Sequence, residues 1–62
     1  MKPSWDDAPE WAEWLAGDTQ GFVWSKGEPE FLDGMWADDE TDLFQSFGEH
    51  DPKREVFKER RP

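Results

Sequence analysis

The chain has 62 residues, of which 16 are Asp or Glu and seven are Lys or Arg, a formal net charge of −9 at pH 7, and it has no cysteine. A domain of this length buries only about 60% of its unfolded surface, so residues 1–62 can form one domain, and disulfide staples and thiolate metal sites are excluded. Such acidity is usual in disordered segments, but those are poor in aromatics, whereas this chain holds five Trp and five Phe.

The first predicted element is a short helical turn. Ser4 followed by Asp7 resembles a capping box, and Pro9 with Glu10 suits the start of a helix. From Trp11 to Gly17 two arguments compete, a helix ending at Gly17 or the first arm of a hairpin over Glu13 to Asp18. The turn chemistry of Asp18-Thr19-Gln20-Gly21 favours the hairpin, with Phe22, Val23 and Trp24 as strand formers in its second arm. Gly27-Glu28-Pro29 ends that strand. Phe31 to Trp36 is an irregular apolar stretch broken by Asp33-Gly34, and Trp36 is a candidate start for a third strand. Residues 38–42 are an acidic loop. Leu43 to Phe47 admits a helical turn or a strand, and a strand is favoured. Asp51 as cap, Pro52 at the first position, Val56 and Phe57 as anchors and Lys58, Arg60 and Arg61 at the end predict a C-terminal helix.

The expected fold is therefore α+β, a small three-stranded antiparallel sheet with a short N-terminal helical turn and a C-terminal helix. With no Ile, two Val and three Leu, the rings must supply most of the core. A homodimer would enlarge that core but is not required by it. No apolar run is long enough for a signal-peptide core or a membrane span, so a cytoplasmic protein is expected.

Trp-Asp-Asp-Ala-Pro-Glu-Trp-Ala at 5–12, Leu15-Ala16, Asp18 with Gly21 and Trp24, and the closing Phe57-x-Glu59-Arg60-Arg61-Pro62 resemble a family of small bacteriophage-encoded proteins. In that family an Asp-Ala-Pro element leads into an aromatic hairpin and the chain closes on an Arg-Pro helix. The resemblance spans both ends of the chain and is weak between them. It implies a phage origin, hence a bacterial host cytoplasm, and a small α+β fold, but no activity. Residues 38–42 are more acidic here than the resemblance leads one to expect.

Catalysis finds little support. His50 is the single histidine, in a loop with no nucleophile at a useful spacing. Carboxylate pairs such as Asp6-Asp7 or Asp38-Asp39 would serve as acid and base only if burial drove their pKa values apart. Residues 38–49 place Asp38, Glu40, Asp42 and Glu49 at calcium-loop positions 1, 3, 5 and 12, but the required Gly at position 6 is Leu43 and no amphipathic helices flank the loop. Neither a metal nor a cofactor is expected.

The body and tail differ in sign. Residues 1–52 hold 14 acidic residues against two Lys, a formal −12, and residues 53–62 hold five basic against two acidic, a formal +3. The basic end suits a helix terminus and could also clamp onto the body. The body's sign disfavours direct binding of nucleic acid or anionic membranes. It suits a partner protein that itself handles polyanions. A domain with a radius of gyration of about 11 Å spans roughly 25–30 Å, the length of about 16 duplex phosphates. Asp6, Asp7, Glu10, Glu28, Glu30, Asp38, Asp39, Glu40 and Asp42 could imitate those that a protein sees. The expectation is a non-enzymatic phage accessory protein that modulates or inhibits a host nucleic-acid-binding protein by acidic DNA mimicry. The alternative is an aromatic-faced interaction or assembly module, with Trp14 and Trp36 as exposed contacts.

Overall fold

The sheet is organised around the turn at Asp18. Its carboxylate Oδ1 accepts from the Gln20 N–H at 2.9 Å and the Gly21 N–H at 3.2 Å, so the chain reverses over two residues held by a side chain that mimics a backbone turn. The arms are β1 (Trp14–Asp18) and β2 (Gly21–Ser25), antiparallel, with Asp18 opposite Gly21 and Trp14 opposite Ser25. The computed structural model describes residues 2–37 and 43–62. Beyond this hairpin its strands are β3 (Glu30–Leu32), β4 (Met35–Ala37), β5 (Phe44–Phe47) and β6 (Phe57–Arg60). Four of the strands form one antiparallel sheet in the order β5-β2-β1-β6, and β3 and β4 form a separate hairpin.

Opposed residues on neighbouring strands share a face, and the registers therefore put Leu15, Gly17, Phe22, Trp24, Phe47 and Phe57 on one side of the sheet. This is the core face. Leu15 is fully buried, and Trp24 and Phe22 nearly so. The Trp24 ring stacks on Phe47 at 5.2 Å, and Phe22 meets Phe47 at 5.6 Å and the edge of Phe57 at 6.2 Å. The N-terminal segment covers this face, with Trp5 5.0 Å from Trp24 and Ala8, Trp11 and Ala12 completing the cluster. Each large side chain so buried contributes about 1.5–3 kcal/mol. Gly17 lies beneath Phe57 and Phe22, where a Cβ would overlap the Phe57 ring.

The other face carries Trp14, Ala16, Val23, Ser25, Phe44, Ser46 and Lys58. Residues 28–37 cross it. Pro29 is fully buried, and its carbonyl accepts from the Lys58 ammonium at 3.3 Å. The β3–β4 turn is Asp33-Gly34, with φ of 52° and 79°. Positive φ at both central residues defines the type I′ turn that two-residue hairpins prefer.

From β5 the chain passes to β6 at the opposite edge of the sheet, around the end that holds the Asp18 turn. There the Asp51 N–H donates to the Thr19 carbonyl at 2.8 Å. The Arg54 guanidinium donates to the carbonyls of Asp18 and Glu49 at 3.0 and 3.1 Å and lies 4.1 Å from the Phe22 ring centre.

The architecture corrects the expected α+β fold. The sheet has four strands rather than three, a second hairpin is present, and no C-terminal helix forms. The helical content of the described residues is one 3-10 turn, Trp5–Asp7, whose Asp6 N–H donates to the Ser4 hydroxyl at 3.1 Å. Asp51 does cap a turn, with its carboxylate accepting from Lys53 N–H at 2.9 Å and its carbonyl from Arg54 N–H at 3.1 Å. That turn goes no further. A helix there would have only the adjacent Val56 and Phe57 as anchors, which is no helical stripe. As strand β6, Phe57 joins the core and the edge of β1 is paired.

Replacing Gly17 by Ala is expected to lower the free energy of unfolding by about 1–3 kcal/mol, the usual cost of overpacking a core. Gly34→Ala, where a Cβ meets nothing within 4 Å, should lose only about 1–2 kcal/mol through its left-handed backbone. Urea unfolding of the two variants measures both.

Candidate partner-binding surface

The side chains of Lys2, Arg54, Lys58 and Arg61 bond to other parts of the molecule. Besides Arg54, Arg61 reaches the N-terminal segment, its Nη1 donating to the carbonyls of Pro9 at 3.1 Å and of Ala12, with that of Glu10 at 3.5 Å. Its backbone N–H donates to the Glu13 carbonyl at 2.7 Å, and its guanidinium lies 5.5 Å from the Trp5 ring. Both arginines thus bond main-chain oxygens, which neutralise no carboxylate. Among the described residues the ion pairs are Lys2 with Glu59 at 3.0 Å and Lys58 with Glu28 at 3.2 Å. Glu59 also accepts from the Trp5 indole at 3.3 Å.

The predicted acidic set is divided by the sheet. Asp6, Asp7 and Glu10 are exposed on the N-terminal segment, which the Trp5–Trp24 contact places over the core face. Glu13 is exposed a few residues further on. Glu28 belongs to the opposite side, paired with Lys58, and Glu30 opens β3 beyond the buried Pro29. Asp38, Asp39, Glu40 and Asp42 lie outside the described residues, and so do three of the four ligand positions of residues 38–49 as a calcium loop. Among the described residues no cluster of three or more His, Asp or Glu is placed to hold a metal ion.

The two candidate tryptophans are half-buried. Trp14 sits with the Lys58 ammonium 5.9 Å from its ring, so the tail's cation covers it. Trp36 meets Phe31 in a tilted contact with ring centres 5.0 Å apart. Its indole N–H is buried with no hydrogen-bond partner among the described residues.

Trp36 also lines a groove of about 430 Å³ between the β3–β4 hairpin and the outer half of the sheet, where Val23, Phe44, Ser46 and Met35 contribute further walls. Beside it Phe31, Leu32 and Met35 are 38%, 56% and 70% exposed. These apolar residues and the groove were not anticipated. The signal was Asp33-Gly34 between Glu30-Phe31-Leu32 and Met35-Trp36-Ala37, a pair typical of a I′ hairpin, obscured by arms of three residues each.

No helix among the described residues is long and apolar enough to cross a membrane. A scan against protein-family models, a search of the curated proteins and a search of the solved structures each returned no match.

Removing the Arg61 guanidinium leaves the carbonyls of residues 9–12 without their charged donor. Arg61→Met is expected to destabilise the protein by about 2 kcal/mol, in the range for hydrogen bonds from a charged group. The exposed Asp6→Asn should change stability by less than about 0.5 kcal/mol. Parallel denaturant titrations test the contrast.

Proposed function

We propose that this chain is a non-enzymatic bacteriophage accessory protein that binds a host protein whose usual ligand is nucleic acid, with Asp6, Asp7, Glu10 and Glu13 standing in for backbone phosphates. One observation carries the proposal: Arg54 and Arg61 are committed to main-chain carbonyls, and the carboxylates of the N-terminal segment have no ion-pair partner among the described residues. Their field is therefore directed outward. The molecule measures 28 × 27 × 16 Å, so its longer dimensions span about 16 phosphates of duplex DNA. Glu28, partly neutralised by Lys58 on the other side, contributes less.

A second mode of binding is favoured by the exposed Phe31, Leu32 and Met35, which would dock on a protein surface without reference to charge. The two modes differ in their response to salt, because charge-led association weakens steeply with ionic strength and an apolar anchor hardly responds.

The test is affinity capture from bacterial lysate at about 50 mM and about 200 mM salt, with and without excess duplex DNA. A mimic retains nucleic-acid-binding proteins at low salt, loses them to DNA, and loses at least about tenfold in affinity in the Asp6→Asn, Asp7→Asn, Glu10→Gln triple variant. Capture indifferent to salt, DNA and these substitutions would assign binding to the hairpin.

A further inference from the structure

We infer that the open edge of β5 is a strand-addition site for an extended, basic segment of the partner protein. The hydrogen-bond register identifies which groups are available. The Lys26 N–H donates to the Leu43 carbonyl at 3.2 Å, and alternation from that pair along the β2–β5 register turns the backbone of Gln45 and Phe47 toward β2. The N–H and C=O groups of Phe44 and Ser46 consequently face away from the sheet. β5 is an edge strand, and these groups have no backbone partner among the described residues.

The two edges of the sheet are unlike. The β6 edge reads Phe57-Lys58-Glu59-Arg60, and charged side chains protect an edge from pairing. The β5 edge reads Phe44-Gln45-Ser46-Phe47, with no charge and no Pro. The groove adjoins this unprotected edge, with Phe44 and Ser46 in one wall and Met35 and Trp36 in the other. A strand added to β5 would direct alternate side chains to that side, toward the Trp36 indole N–H that lacks an acceptor among the described residues.

Charge selects the occupant. Glu30 and Asp33 lie on the hairpin and Glu49 just after β5, and the residues leading into Leu43 are acidic in sequence. A second copy would bring two such sets together within a pair of formal charge −18, twice the −9 of one chain. A strand bearing Lys or Arg at alternate positions meets the opposite sign. This inference rests on the proposed preference for a basic partner and adds the backbone that would grip it.

The probe is the peptide Lys-Val-Lys-Thr-Lys-Val-Lys-Thr, blocked at both ends, and its analogue N-methylated at every residue, which keeps every charge but can donate no backbone hydrogen bond along either edge. Strand addition slows amide exchange of Phe44 and Ser46 at least about tenfold with the first peptide and not with the second. Ser46→Pro, which removes an outward N–H and no bond to β2, should weaken binding about fivefold to tenfold. Equal binding of both peptides would overturn the inference, and so would protection of Phe44 and Ser46 that rises with protein concentration without peptide, the mark of self-pairing. The triple variant at Asp6, Asp7 and Glu10 should keep the edge protection. Loss of edge pairing with DNA-sensitive capture intact would reject this site alone, and the reverse result would reject phosphate mimicry alone.

Discussion

The fold depends on one buried carboxylate. Asp18 is 6% exposed, and a carboxylate is kept from water only where hydrogen bonds replace its hydration. The N–H groups of Gln20 and Gly21 supply them, which forces the reversal that pairs β1 with β2. That hairpin is the inner pair of the sheet, so both edge strands add to it. The carbonyls it exposes at the turn, those of Asp18 and Thr19, then accept from Arg54 and from the Asp51 N–H. The crossover between the edges is tied to the same few atoms that made the hairpin.

From this arrangement follows the distribution of charge. A small domain has few long apolar side chains, and here the arginines supply part of what is missing by lying over Phe22 and Trp5 while satisfying loop carbonyls. Used in this way they act as struts. The acidic residues are left with two ion pairs among the described residues, Glu59 with Lys2 and Glu28 with Lys58. The balance of charge across the two faces is a by-product of how the rings are covered: the N-terminal segment carries its carboxylates over the core face, and residues 28–37 carry theirs over the other.

Part of this was legible in the sequence. The Asp18-x-x-Gly21 turn, the strand Phe22–Trp24, the strand over Phe44–Phe47 and a capped turn after Ser4 all rest on local chemistry, and local chemistry is what single residues announce. The C-terminal segment was misread because Asp51-Pro52 genuinely opens a turn, and what decides against its continuation is the unpaired edge of β1, some forty residues away. The Asp33-Gly34 pair marks the second hairpin, but its three-residue arms show almost no alternation. The separation of Asp6, Asp7 and Glu10 from Glu28 and Glu30 was not readable at all. It is set by which face each covering segment crosses, and no pattern along the chain encodes that.

The pairing of β6 with β1, together with Arg61 holding residues 9–12, also governs how the molecule comes into being. Until residues 57–61 pair with it, the hairpin keeps an open edge along β1 and lacks the Phe57 ring. Completing the sheet joins segments about forty residues apart, a step slower than in a helical domain of the same size because the loop must close before any contact rewards it. In the interval the uncovered hairpin is the species most exposed to aggregation and proteolysis, and the strong negative charge of the nascent chain keeps neighbouring copies apart while it waits.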